Sequence, residues 1–158
     1  CRARRSPRLI TMGLSGTIDS SVYEGLRDVL QRQPTVAAVT YQPDSIVKRF
    51  LRAHVDAERV VPPTGPESPT IDVEWRFTTD EQQYRIHYAD PNTGFNCGWH
   101  RDDDHPGLGP VHFQYEHPIS DERGREPAQF SKSVPTEILW SALGELFEQR
   151  LPRLLESR

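Results

Sequence analysis

Four segments in the middle of the chain alternate between apolar and polar residues. A period of two is typical of a β-strand with one buried face. The turn at residues 91–94 and other polar stretches separate the segments. Their apolar positions are Ile71, Val73, Trp75 and Phe77, then Tyr84, Ile86 and Tyr88, then Phe95, Cys97 and Trp99, and finally Val111, Phe113 and Tyr115. The pattern predicts a four-stranded antiparallel meander with one apolar face.

Two other segments have the apolar stripe of an amphipathic helix. The first covers about residues 20–32, with Asp19 or Ser20 as its N-cap, and the second starts at Pro135, which suits a first helical position. Pro152 is predicted to end or kink the second helix. Residues 35–42 are predicted to add a strand, residues 46–55 a short helix or a strand, and residues 120–130 a charged loop. The predicted fold class is α+β, a four- to five-stranded antiparallel sheet with two to three helices packed on one face.

Composition places the chain among small cytoplasmic domains. Its 158 residues suit one domain, predicted over residues 17–158, and residues 1–16 are predicted to be a disordered basic segment that precedes it. Met12 is a candidate start of the native protein, and residues 1–8 do not fit a signal peptide. Two cysteines without a CxxC spacing favour a reducing compartment, and no apolar run is long enough to span a membrane. A net charge of -4 argues against a broad nucleic-acid surface but leaves a local one open.

The candidate chemistry is concentrated where polar residues alternate with the buried ones. If the apolar side of each strand faces the helices, three of the six histidines lie together on the other side. These residues and their polar neighbours are His87, His100, His112, Glu74, Arg76, Arg85 and Gln114. Four histidines also fall between His100 and His117, beside three consecutive aspartates at residues 102–104. His87, taken alone, is interpreted as an ordinary surface residue of a strand.

One interpretation of this cluster is acid–base catalysis without a cofactor. Two imidazoles and an arginine that holds a phosphate suffice to cleave RNA through its 2′-hydroxyl group. The pair would be His100 and His112, with His105 as a substitute for His100. Asp102 or Asp104 would orient an imidazole. The substrate-binding candidates are Arg85, Arg101 and Gln114.

Two other interpretations stay open. The first is a site for zinc or another divalent metal ion, with the ligands His100, His105, His112 and His117, although no standard zinc spacing is present. The second is that the histidines are ordinary structural residues. Cys97 falls on the apolar side of its strand and is predicted to be a core residue, not a nucleophile.

Residues 84–88, 99–106 and 111–114 resemble small archaeal proteins, mostly from halophiles, which in turn distantly resemble the TumE family of toxin–antitoxin toxins. The similarity extends over about residues 71–155. The residues that it marks are Arg85, Trp99, Asp102, His105 and His112. Gln114 stands where that wider group has the second histidine of a His-Phe-His pattern. The resemblance implies a toxin that acts on RNA and that is held by a cognate antitoxin protein.

We therefore expect a toxin-like protein of a toxin–antitoxin system that cleaves RNA with the His, Asp and Arg cluster on the uncovered sheet face. The alternative is a non-catalytic interaction module or a metal-stabilised binding domain. No residue pattern sets the oligomeric state.

Overall fold

The computed structural model describes residues 14–79, 81–101 and 110–155, together with the backbone of residue 156. These residues form a seven-stranded antiparallel sheet in which each strand pairs with the next one along the chain. The strands are β1 (Val36–Gln42), β2 (Phe50–Val55), β3 (Thr70–Phe77), β4 (Gln82–Ala89), β5 (Asn96–Arg101), β6 (Val111–His117) and β7 (Glu122–Pro127). The α+β class and the antiparallel meander are confirmed, but the sheet has more strands than predicted.

The two additional strands arise from segments whose patterns were ambiguous. In β2, buried Leu51, Ala53 and Val55 alternate with half-buried polar residues. Pairing with β1 and β3 makes this segment a strand, where a short helix was the other prediction. Residues 120–130 were predicted to be a loop, but they contain strand β7. The prediction was wrong because the residues of β7 are almost all polar and exposed, so they show no apolar alternation. A turn with Asp121 at a φ of 59° directs β7 back along β6. The backbone N–H and carbonyl groups of the two strands then pair, and the side-chain pattern gives no indication of this pairing.

The predicted helices are confirmed close to their expected positions. Helix α1 (Ser20–Gln31) begins after Asp19, whose carboxylate accepts hydrogen bonds from the backbone N–H groups of Ser21 at 2.9 Å and Val22 at 3.3 Å. Helix α2 (Pro135–Glu145) continues through a π-helical turn at Leu146–Arg150 into α3 (Leu151–Glu156). Pro152 does not end the helix, because the wider π-helical turn precedes it where an α-helix would clash with its ring.

The core lies between the helices and one face of the sheet. The apolar positions predicted for the four central strands are buried there, including Trp75, Trp99 and Cys97, except that Phe77 and Tyr115 are partly buried. Apolar residues of α1, α2 and α3 complete the core. The hydroxyl group of Tyr23 in α1 donates to the carbonyl of Arg49 at 2.7 Å and accepts from the backbone N–H of Trp75 at 3.1 Å. The opposite face, here called the helix-free face, carries the alternate polar residues of the strands.

The N-terminal segment is only partly described. Residues 1–13 lie outside the described part of the chain, whereas the backbone N–H of Ser15 donates to the side chain of Gln83 at 2.9 Å. The ordered contacts of the sheet thus reach back to Ser15. None of the helices in the described ranges is long and apolar enough to cross a membrane.

Candidate functional site

The register of β3 to β6 determines which polar side chains meet on the helix-free face. Four residues lie directly opposite one another in one row across four strands, in the order Glu74, Arg85, His100 and His112. The neighbouring row, two residues along each strand, consists of Asp72, His87, Gly98 and Gln114. His87 is therefore diagonal to His100, although the two belong to different rows.

The three histidines of these rows form a line across three strands, here called the histidine cluster (His87, His100 and His112). The ring centroids of His100 and His112 are 5.2 Å apart, and the rings meet edge to face at 61°. The ring centroids of His87 and His100 are 6.2 Å apart. The structure therefore brings together two of the predicted site histidines, in the same rows as Arg85 and Gln114, and adds His87, which the sequence interpreted as a surface residue.

Gly98 lies at the centre of this face, between His87 on β4 and Gln114 on β6. A Cβ atom at this position would collide with the backbone carbonyl of Ile86 and lie 2.9 Å from the Cα atom of His87. Any side chain would therefore push β4 away from β5. Glycine keeps the two strands close and places no side chain between the polar groups around it.

A groove of about 600 Å³ runs over this part of the sheet. The polar side chains that line it include Arg85, His87, Asn96, His100, Gln114 and Glu116. His87 and His100 are half-buried, whereas His112 has no exposed surface. A ligand in the groove would therefore meet His87 and His100, with His112 packed against the ring of His100.

Burial and a neighbouring cation determine the charge of His87. Burial and the positive charge of Arg85 lower the pKa of His87 to about 4, so its imidazole is neutral at pH 7. Burial also lowers the pKa of Arg85, which stays protonated because guanidinium is so strong a base. Two buried polar atoms, Nε of Arg85 and Nδ1 of His87, have no hydrogen-bond partner within the described ranges. Such atoms carry a desolvation cost that a bound polar ligand can relieve.

Asp72 and Glu74, the two acidic residues in the rows of the histidine cluster, are each paired with another arginine. The guanidinium of Arg52 donates to both carboxylate oxygens of Asp72, at 2.8 Å and 3.0 Å. The carboxylate of Glu74 lies 2.8 Å from Arg76, and its burial raises its pKa. These pairs leave the guanidinium of Arg85 available to an anion in the groove.

Arg101 and His117 lie on the face of the sheet that packs against the helices. Arg101 is one residue from His100 along β5, and His117 is five residues from His112 along β6; an odd separation along a strand places two side chains on opposite faces. The side chain of Arg101 donates to the carbonyl of Gln82 at 2.8 Å and lies 3.6 Å from Glu81, so the structure does not place it beside His100. The ring of His117 packs 5.2 Å from that of Phe95 and is buried. His117 and His112 therefore do not share a metal site.

The remaining predictions of the sequence fall on a segment that is not described. Asp102, Asp104 and His105 lie outside the described residues. Over the described ranges, no group of three or more His, Cys, Asp or Glu side chains is arranged to hold a metal ion.

The sequence placed His87 on the same face as His100 and His112 but interpreted it as a surface residue, and it did not single out Asn96 or Gly98. The available signal was register: a short turn at residues 91–94 fixes which residues of β4 and β5 face each other, and parity then places His87 with His100. Gly98, an isolated glycine within an alternating segment, also indicated a close backbone approach.

Comparisons of this chain with protein-family models, curated proteins and solved structures find no match.

Proposed function

We propose that this protein is a toxin-like enzyme that cleaves RNA by acid–base catalysis at the histidine cluster. The observation that carries the proposal is the presence of two half-buried imidazoles and one guanidinium, those of His87, His100 and Arg85, on the same groove. The ring centroids are 6.2 Å apart, so one phosphodiester group that lies over both rings in the groove can contact both imidazoles.

The reaction needs one base and one acid. The base removes the proton from the 2′-hydroxyl group, whose oxygen attacks phosphorus and forms the new P–O2′ bond. The acid donates a proton to the 5′-oxygen as the P–O5′ bond breaks. The products are a 2′,3′-cyclic phosphate and a 5′-hydroxyl end. Atoms and charge balance without a metal ion or a redox partner.

The pKa of His87 supports a role as base, which leaves the role of acid to His100 in this proposal. His87 is neutral at pH 7 because its pKa is about 4, so it is in the form that accepts a proton and is the proposed base. Substrate phosphate would raise the pKa of His87, since a nearby negative charge favours the protonated imidazole. His100 is then the proposed acid.

Arg85 and His112 have supporting roles in this proposal. Arg85 lies opposite His100 in the sheet, and its planar guanidinium suits two phosphate oxygens. His112 is a positioning residue, because it is completely buried and its ring meets that of His100 edge to face. A cognate antitoxin that covered the groove would block access to both catalytic imidazoles.

The burial of His112 favours a second candidate function, a module that binds RNA or another anionic ligand without cleaving it. Because His112 has no exposed surface, only two imidazoles of the histidine cluster face a ligand in the groove. An RNA cleavage assay separates the two functions, since a binding module would bind RNA and leave it intact.

The test is cleavage of single-stranded RNA by the purified protein in the presence of a metal chelator. We expect the wild type to produce fragments with 2′,3′-cyclic phosphate ends. His87→Ala and His100→Ala should each reduce the rate by roughly 100-fold or more, the usual contribution of a general acid or base. His54→Ala is the matched control, because His54 is a half-buried histidine of β2, three strands away from His100.

The growth of a host that expresses each variant gives the toxin readout. Arrest by the wild type and by the His54 variant, but not by the two groove variants, would support the proposal once all proteins are shown to be folded. Intact RNA with the wild type, or equal rates for all four proteins, would overturn catalysis at this cluster.

A further inference from the structure

A second depression, of about 470 Å³, lies beside the groove on β5, β6 and β7. Its polar lining residues are Asn96, Gln114, Glu116, Arg123 and Arg125, and we call it the β5–β7 depression. Asn96, Gln114 and Glu116 also line the groove, so the two spaces adjoin. A chain-like ligand that fills one of them can therefore extend into the other.

Strand register arranges the charges of the depression. Glu116 lies directly between Asn96 on β5 and Arg123 on β7. Gln114, in the next row, lies opposite Arg125. The carboxylate of Glu116 thus has the amide group of Asn96 on the β5 side and the guanidinium group of Arg123 on the β7 side. The amide group of Gln114 lies two residues along β6, and Arg125 lies beside it. The side chains of Glu116, Arg123 and Arg125 are exposed and can reach a ligand.

This set of groups matches one nucleobase better than the other three. A carboxylate offers two acceptor oxygens side by side. Among the Watson–Crick edges of the RNA bases, only that of guanine presents two adjacent N–H donors, at N1 and N2. Guanine also presents a carbonyl oxygen at position 6, which the amide of Asn96 or Gln114 can bind as a donor. Proteins recognise single-stranded RNA by such contacts to base edges.

We propose that the β5–β7 depression binds a guanine base of single-stranded RNA, with the carboxylate of Glu116 accepting hydrogen bonds from N1–H and N2–H. The assignment of the ligand as RNA rests on the proposed function. The rows of Glu116 and His100 are four residues apart along β5, roughly 13 Å at the rise of a strand. That separation places the bound base and the phosphate at His100 on one nucleotide or on adjacent ones. Arg123 and Arg125 then contact flanking phosphates.

The test measures binding separately from cleavage. Fluorescence anisotropy is recorded with short 2′-O-methyl RNA oligonucleotides, which cannot be cleaved because the 2′-hydroxyl is blocked. The oligonucleotides differ at one central base: guanine, inosine, which lacks the N2 amino group, adenine or uracil. We expect the wild type to bind the guanine oligonucleotide roughly 10-fold more tightly than the inosine one, as expected for the loss of one charge-assisted hydrogen bond.

Glu116→Gln should abolish this preference, because an amide offers only one acceptor oxygen. The matched control is Glu24→Gln, since Glu24 is an exposed carboxylate on α1, away from the sheet face. Loss of the preference in the Glu116 variant and its retention in the Glu24 variant would support the proposal.

Equal affinity of the wild type for all four oligonucleotides would overturn the guanine assignment, whatever the stability of the variants. Cleavage of ordinary RNA without any base preference would overturn it too and leave the proposed function standing. A guanine preference without cleavage would have the opposite meaning: the inference stands and catalysis fails.

Discussion

A single residue, His87, makes the stability of the protein sensitive to acid. Its pKa is about 4 in the folded protein, mainly because of burial, against an ordinary value of 6.5. Between these values the unfolded chain binds a proton that the folded protein does not bind. The stability that His87 contributes is therefore fully present above pH 6.5 and is lost as the pH falls toward 4. The difference between the two pKa values corresponds to a change of about 3 kcal/mol at most in the free energy of unfolding.

Urea unfolding at about pH 7 and about pH 4 checks this prediction. His87→Gln removes the titrating group, so the variant should lose roughly 2–3 kcal/mol less than the wild type over that range. Glu74 acts in the opposite direction, because burial raises its pKa, but it is present in both proteins and cancels in the difference. His54→Gln should behave like the wild type. An equal acid loss for the wild type and His87→Gln would show that His87 is solvated and protonates freely.

At the scale of the elements, Arg150 joins the C-terminal helix to the edge of the sheet. Its guanidinium carbon lies 4.0 Å from the centre of the Phe113 ring on β6. Its Nε atom donates to Glu145 at 2.7 Å, and its Nη1 atom donates to Glu126 on β7 at 3.1 Å. One side chain of the π-helical turn thus contacts two strands.

We expect Arg150→Met to lower the free energy of unfolding by about 1–2 kcal/mol, because the aliphatic part of the contact remains while the cation–π and charge-assisted contacts are lost. Chemical denaturation measures the loss. Arg153→Met, on the exposed side of α3, is the control and should change stability by less than about 0.5 kcal/mol. A loss below that limit for Arg150 as well would mean that the ion pairs are solvated and contribute nothing.

The elements also show how far the sequence predicts the fold. The helices and the central strands were predictable, since their apolar residues recur with one clear period and face one core. Strand β7 was not, because its pairing with β6 uses backbone hydrogen bonds and its side chains are polar. For β2 the same short apolar segment suited a helix or a strand, and only its neighbours, β1 and β3, determine the outcome.

The site was predictable in part, because alternation along a strand determines which side chains share a face. Parity along β5 and β6 placed His100 and His112 on one face, and it equally excludes Arg101 and His117. Which residues of different strands meet depends on register, so the contact of His87 with His100 could not be obtained from either strand alone. The complete burial of His112 depends on the packing of the whole molecule and could not be predicted from the sequence pattern.

At the scale of the whole molecule, an acidic protein carries a local surface suited to an anion. The net charge is -4, yet the helix-free face of β4 to β7 presents Arg85, Arg123 and Arg125 against one exposed acid, Glu116. RNA binding should therefore depend on a few local contacts and not on the overall field. For single-stranded RNA each phosphate contact contributes about -0.7 to the slope of log affinity against log salt concentration, so three arginines predict a slope of roughly -2.

Titrations of an uncleavable oligonucleotide at several salt concentrations give this slope. Arg125→Gln should reduce its size by about 0.7 and weaken binding to all sequences alike, because a phosphate contact carries no base information. Arg153→Gln, on the helical side, makes the same change in net charge and should leave the slope unchanged. If both variants reduce the slope equally, the general charge of the protein governs binding and the groove does not. A slope near zero would show that the arginines do not neutralise phosphates of the bound RNA, and it would remove the phosphate contacts from the proposal.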